Sequence, residues 1–182
     1  MNIKLLAVLF AILIVGGAVL REETLVPQPM LPQENAIKTN EKLVPFPDLV
    51  FKTDGGQELR VRDMKEKTIL IHFWAAWCDV CHAEFPALLR YVENSHGKIA
   101  LISISLDDHY EDSAKLLSKL EEKYHVTVHS PHLYWVWDQD KSLSLHAFNT
   151  VKVPETIVIN QDRMMVDKIV GAGPWAEAAG GP

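Results

Sequence analysis

Both cysteines of the 182-residue chain fall within one ten-residue stretch, WCDVCHAEFP from Trp77 to Pro86, and His82 follows the second. Two chemistries use these residue types. C-x-x-C-H attaches c-type haem, with the cysteines bonded to the porphyrin and the histidine on iron; C-x-x-C alone is the dithiol of thiol–disulfide exchange. The surroundings favour the dithiol. TILIHFWA (68–75) has the β-branched and aromatic make-up of a buried strand, and Cys81, Phe85, Leu88, Leu89 and Val92 then share one helical face. Cysteines that open a helix meet unpaired backbone N–H groups and a partial positive charge, both of which stabilise a thiolate. Cys78 is therefore the expected nucleophile, and Cys81, one turn further in, the shielded thiol that resolves a mixed disulfide. A disulfide closed over two residues removes little chain entropy, so the pair is a poor staple and a better redox centre. A covalent haem would want room for a porphyrin and commonly a second axial ligand. Met164 and Met165, which could in principle serve, fall on an expected strand.

The elements that must carry this motif are legible on either side of it. Asp54-Gly55-Gly56 separates FKT from ELRV, the pattern of a β-hairpin. After the motif helix, IALISISL (99–106) reads as a second buried strand. Ser113 to Tyr124 forms an amphipathic helix with Leu116, Leu117 and Leu120 inward, and a short helix is expected from Lys141 to Phe148. Thr156–Asn160 and Met164–Val170 make a closing antiparallel hairpin around Gln161-Asp162. Strand, helix, strand, helix and hairpin predict an α/β fold with a central mixed sheet flanked by helices and an N-terminal β-hairpin. After Gly171, the sequence AGPWAEAAGGP leaves room for only a stunted final helix.

The first 45 residues differ in kind. MNIK precedes sixteen apolar residues, Leu5 to Leu20, closed by Arg21-Glu22-Glu23. That is an export signal, as a signal anchor or, if Gly16-Gly17-Ala18 is cut, a signal peptide. Its length falls between a signal-peptide core and the roughly 18–20 residues of a spanning helix. Residues 21–45, with Pro27, Pro29, Pro32 and Pro45, read as an extracytoplasmic spacer, and 46–182 as the folded domain. Composition agrees with one globular domain: 48 % hydrophobic and 23 % charged residues. A net charge of −6 argues against a nucleic-acid partner.

TILIHFWAAWCDVCHAEFPALL, with Pro86 inside the helix and VPETIVI some seventy residues on, resembles the TlpA/ResA/CcmG group of exported thioredoxin-like proteins, over roughly residues 43–175. The resemblance implies a thioredoxin-like fold, membrane tethering at the extracytoplasmic face of the inner membrane or in the periplasm, and reduction of protein disulfides. Many members of the group serve cytochrome c maturation. Apocytochrome c is then the implied client, and a membrane protein relaying electrons from cytoplasmic thioredoxin the implied donor. Pro154 matches the group's cis-proline, which leaves the backbone before it free to pair with an extended substrate. Val153 would bracket the dithiol, and Trp77 would contribute to the partner surface, while Trp74 belongs to the core. Glu84 matches an acidic residue found beside the cysteines in many members. It lies close to one helical turn from Cys81, where a carboxylate can exchange a proton with that thiol.

His72 departs from the group, which often has asparagine six residues before the first cysteine. It reads either as a buried neutral imidazole or as a partner of Glu84 in a proton relay to Cys81. Asp79, between the cysteines, opposes thiolate formation at Cys78 and favours a reducing pair. His82 is expected only to charge or cap the first helical turn. HVTVHSPH holds His125, His129 and His132 in loop context without a metal-ligand pattern, so no metal or other cofactor is expected. A dithiol copper chaperone and a c-type cytochrome stand as the alternative classes.

Overall fold

A strand buried on both faces reads as a continuous apolar run, because its side chains alternate between faces that are both covered. The computed structural model, which describes residues 43–178, places the run before the cysteines at the centre of such a sheet. In chain order the strands are β1 (Val44–Pro45), β2 (Val50–Lys52), β3 (Glu58–Arg60), β4 (Thr68–Trp74), β5 (Ile99–Ser105), β6 (Leu133–Trp137), β7 (Glu155–Ile159) and β8 (Met164–Val170). The helices are α1 (Asp79–Asn94), α2 (Tyr110–Tyr124) and α3 (Trp175–Ala178). The main sheet runs β1-β8-β7-β4-β5-β6, and β2-β3 is a separate hairpin. β4, β5 and β6 are parallel to one another; β7, β8 and β1 add antiparallel. This is the expected thioredoxin-like α/β fold with a mixed central sheet.

The two faces of β4 bury different partners. Leu70 and Trp74 join Phe85, Leu88 and Leu89 of α1 and Leu116 and Leu120 of α2 in one core. Ile69, Ile71 and Phe73 join Phe51 and Leu59 of the hairpin and Phe148 in the other. Strand alternation therefore puts His72 on the α1 face, where its ring meets Phe85 edge-on at 5.3 Å.

The hairpin turns at Asp54-Gly55-Gly56, with Gly56 at φ +78° in the left-handed region that suits glycine. The expected helix at 141–148 is a π-helical turn, Ser142–Ala147, whose Leu143 and Ser144 amides donate to the buried Asp138 carboxylate at 3.1 and 2.8 Å. β6 has no counterpart among the expected elements. Its five residues, LYWVW, form the edge of the sheet and are mostly only half-buried, so neither a long apolar run nor a clean alternation marks them. β1 pairs with Met164 and Met165 just ahead of residue 46. The apolar stretch 5–20 and residues 21–42 of the spacer lie outside the described residues. Among those described, no helix is long and apolar enough to cross a membrane.

Candidate active site

The motif sits where β4 gives way to α1. Cys78 is the N-cap of α1, in extended conformation, and its sulfur accepts the Cys81 amide at 3.2 Å. Cys78 and Cys81 are joined as a disulfide. Cys81 is fully buried, whereas Cys78 keeps 7 % of its surface exposed.

The approach to Cys78 is pinned from two sides. The Ala76 amide donates to both carboxylate oxygens of Asp107, at 2.8 and 3.0 Å. Asp107, almost wholly buried, also accepts the hydroxyls of Ser105 and Ser113 at 2.8 Å each. On the other side, His82 Nε2 donates to the Ala76 carbonyl at 2.6 Å. His82 therefore has a definite task, tying the first turn of α1 back to the loop before the cysteines.

The Val153–Pro154 peptide is cis. Its neighbour Glu155 is buried, accepts a short hydrogen bond from the Thr150 hydroxyl and pairs with Lys168 at 3.1 Å. Trp77, 69 % exposed, and Val153 line one groove of about 300 Å³ together with Leu106, Leu145 and Val151. The groove also holds Asp108, Lys141 and Lys152, so the exposed Trp77 and Val151, 75 % exposed, are apolar residues within a lining of mixed character.

Behind the disulfide lies a buried polar pair. His72 Nδ1 is 2.9 Å from Thr156 Oγ1 on the neighbouring strand. His72 Nε2 lies 3.6 Å from Glu84 Oε1, and neither atom has a hydrogen-bond partner among the described residues. Burial pushes the His72 imidazole down to about 3, so it is neutral at physiological pH and the contact is no ion pair. Burial pushes the Glu84 carboxyl up, against hydrogen bonds from the Gly173 amide and the Trp175 indole that pull it down. Both donors reach Oε2 at 2.9 Å.

The structure thus gathers Cys78, Cys81, Trp77, Val153 and Pro154 at one end of the sheet, with Glu84 on α1 and His72 facing it from β4. The histidines of HVTVHSPH stand apart: His132 pairs with Glu66 at 2.9 Å, His125 forms the left-handed C-cap of α2, and His129 is an exposed loop residue. Three groups around the site were not apparent from sequence: Asp107, Thr156 and the Gly173–Trp175 segment. A carboxylate directly after an all-buried strand was the one available sign for Asp107.

Residues 44–168 match the AhpC/TSA family. The chain belongs to the AhpC/TSA family. The thioredoxin-like protein YneN of Bacillus subtilis is 28 % identical over 125 residues, 69 % of either chain. The thiol:disulfide interchange protein DsbE of Pseudomonas fluorescens biotype C is 30 % identical over 128 residues, 70 % of this chain and 65 % of the relative. In fold, the crystal structure of StoA from Bacillus subtilis superposes with a TM-score of 0.55 at 16 % identity, covering 75 % of this chain and 96 % of that one. An AhpC/TSA chain with a disulfide-forming pair at the start of the first helix after β4 carries the chemistry of a thiol–disulfide oxidoreductase.

Proposed function

We propose that the protein is a reductant of protein disulfides, working outside the cytoplasm while tethered through residues 5–20, with apocytochrome c as its client. The observation that carries this reading is the inequivalence of the two sulfurs. Cys78 caps α1 next to Trp77 of the groove, and Cys81 is fully buried one turn from Glu84. In the reduced protein, the Cys78 thiolate attacks one sulfur of a client disulfide. A mixed disulfide forms, and the first client thiolate leaves and takes up a proton. Cys81 loses its proton towards Glu84 and attacks the Cys78 sulfur, expelling the second client thiolate. Two electrons pass to the client, and the enzyme is left as the Cys78–Cys81 disulfide. Trp77 and Val153 hold the client chain, and the cis peptide before Pro154 presents backbone groups to pair with it.

Returning the enzyme to the dithiol needs a donor, and a membrane protein relaying electrons from cytoplasmic thioredoxin fits a tethered domain. Asp79 beside Cys78 supports the reducing direction, since its charge opposes a stabilised thiolate. The test is the reduction potential of the Cys78/Cys81 pair in the full-length protein. A value near thioredoxin's, about −270 mV, supports a reductant, and one near about −120 mV reverses the direction of electron flow.

A further inference from the structure

The segment after β8 reaches back to the buried carboxylate. Gly173 and Trp175 lie 89 and 91 residues from Glu84 in sequence, yet both donate to its Oε2 at 2.9 Å. Trp175 is only 2 % exposed, although its helix, α3, has just four residues. Its indole packs against the Tyr91 ring of α1 with centroids 5.6 Å apart, and a Cβ at Gly173 would stand 2.2–2.5 Å from the indole ring. The fit admits no side chain at 173 while the indole stays where it is. With Oε2 doubly occupied, Oε1 is left without a partner among the described residues, 3.6 Å from the equally unpartnered His72 Nε2.

We propose that Trp175 is a positioning residue for the proton-handling carboxyl. With the Gly173 amide it clamps Glu84 Oε2 and so leaves Oε1 as the oxygen that takes and returns the proton of Cys81. The inference rests on the reading that Glu84 serves Cys81. Donors fixed on one carboxylate oxygen favour the ionised form, the one able to accept the thiol proton, in a place where burial pushes the carboxyl up. His72, held against Thr156, offers Oε1 no cation to compete with.

The other ionisable groups on the surrounding elements are accounted for. On α1, Cys81 and Tyr91, whose phenol burial pushes up, are buried with Glu84, whereas Asp79, Arg90 and Glu93 are exposed and His82 is held by the Ala76 carbonyl; Asp167 on β8 is exposed. Glu177 on α3 is exposed. Glu155 and Lys168 pair with each other on the far side of the sheet, since Thr156, the neighbour of Glu155, faces His72.

The experiment compares full-length wild type, Trp175→Phe, Glu84→Gln and the double variant. The rate of mixed-disulfide resolution is followed against pH. Phenylalanine keeps a ring beside Tyr91 and removes the N–H. The inflection contributed by Glu84 should vanish in Glu84→Gln and should move to higher pH in Trp175→Phe, by roughly one pH unit, as expected for a lost hydrogen bond to a charged acceptor. Trp175→Phe should then have no further effect on the profile in the Glu84→Gln background. An inflection present in wild type, absent in Glu84→Gln and unmoved in Trp175→Phe overturns the positioning role while leaving Glu84 as the proton carrier. An inflection that survives Glu84→Gln overturns both. A second measurement needs no variant: the Trp175 indole N–H resonance of the oxidised wild-type protein should titrate together with the Glu84 carboxyl carbon. An indole resonance flat through that titration refutes the clamp.

Discussion

Replacing His72 by Asn should make the protein resist mild acid better, and the size of the effect follows from burial. An imidazole ordinarily titrates at 6.5, and at His72 burial lowers this to about 3. A group whose folded value is depressed in this way binds its proton only in the unfolded chain between those two pH values. Stability is therefore full above the unfolded value and falls as pH drops through the window. Each pH unit removes about 1.4 kcal/mol. Between pH 6.5 and 4.5, His72 alone should cost the wild type roughly 3 kcal/mol, a large share of the 5–15 kcal/mol typical of a domain.

Glu84 acts with the opposite sign. Its folded value is raised, so the folded chain holds that proton more tightly. Stability is full below the ordinary carboxyl value and is lost as pH rises through the folded one. The two residues oppose each other across mildly acid pH, and the variants separate them. Urea unfolding of the oxidised protein, repeated from pH 7.5 to 4.5, should show a shallower fall towards acid in His72→Asn than in wild type. Glu84→Gln, which keeps the histidine and loses the compensating carboxyl, should show the steepest fall. Comparison of slopes keeps the result independent of what either substitution costs in packing. Parallel curves for wild type and His72→Asn would mean that His72 is not held neutral by burial, and the account of the Glu84 environment would fail with it.

Two further outcomes test the site. Cys81→Ser should arrest the proposed reaction at the Cys78–client mixed disulfide, which mass spectrometry under non-reducing conditions detects; release of reduced client at the wild-type rate would show that Cys81 does not resolve it. Asp107→Asn replaces an acceptor of the Ala76 amide and two serine hydroxyls with a group that is half donor, which should cost roughly 2–3 kcal/mol in urea unfolding. It should also slow attack by Cys78, because the loop leading to the cysteine loses its anchor.

What the sequence declared and what it withheld divide along the range of the interactions. The cysteines, the helix they open and the strand before them are marked by neighbouring residues: a β-branched run, then a 3.6-residue period. The cis-proline was readable from VPETIVI, a local word. β6 escaped because an edge strand buries too little to leave a pattern. Asp107 meets Ala76 across 31 residues, and Trp175 meets Glu84 across 91, so no spacing rule connects either pair. His72 was ambiguous for the same reason. Alternation said it faced opposite to Ile71, but only the two cores show which face carries α1.

The arrangement around the disulfide also bears on why a protein would bury an acid and a base 3.6 Å apart with no hydrogen bond between them. Joined as a charged pair, they would hold each other in place, and Glu84 would be a poor acceptor because a cation already satisfied it. Kept neutral, His72 leaves the carboxyl dependent on donors from the end of the chain, and these reach only Oε2. The free oxygen then sits in apolar surroundings, where its affinity for a proton is high and responsive to a new charge nearby. Mixed-disulfide formation changes charge at the neighbouring sulfurs. On the proposed mechanism, Cys81 gives up its proton only when that change occurs. On the same mechanism, that carboxyl returns a proton when the pair is next reduced. A single buried acid can serve both half-reactions only if it is not already committed to an ion pair, and the depressed imidazole is what keeps it uncommitted.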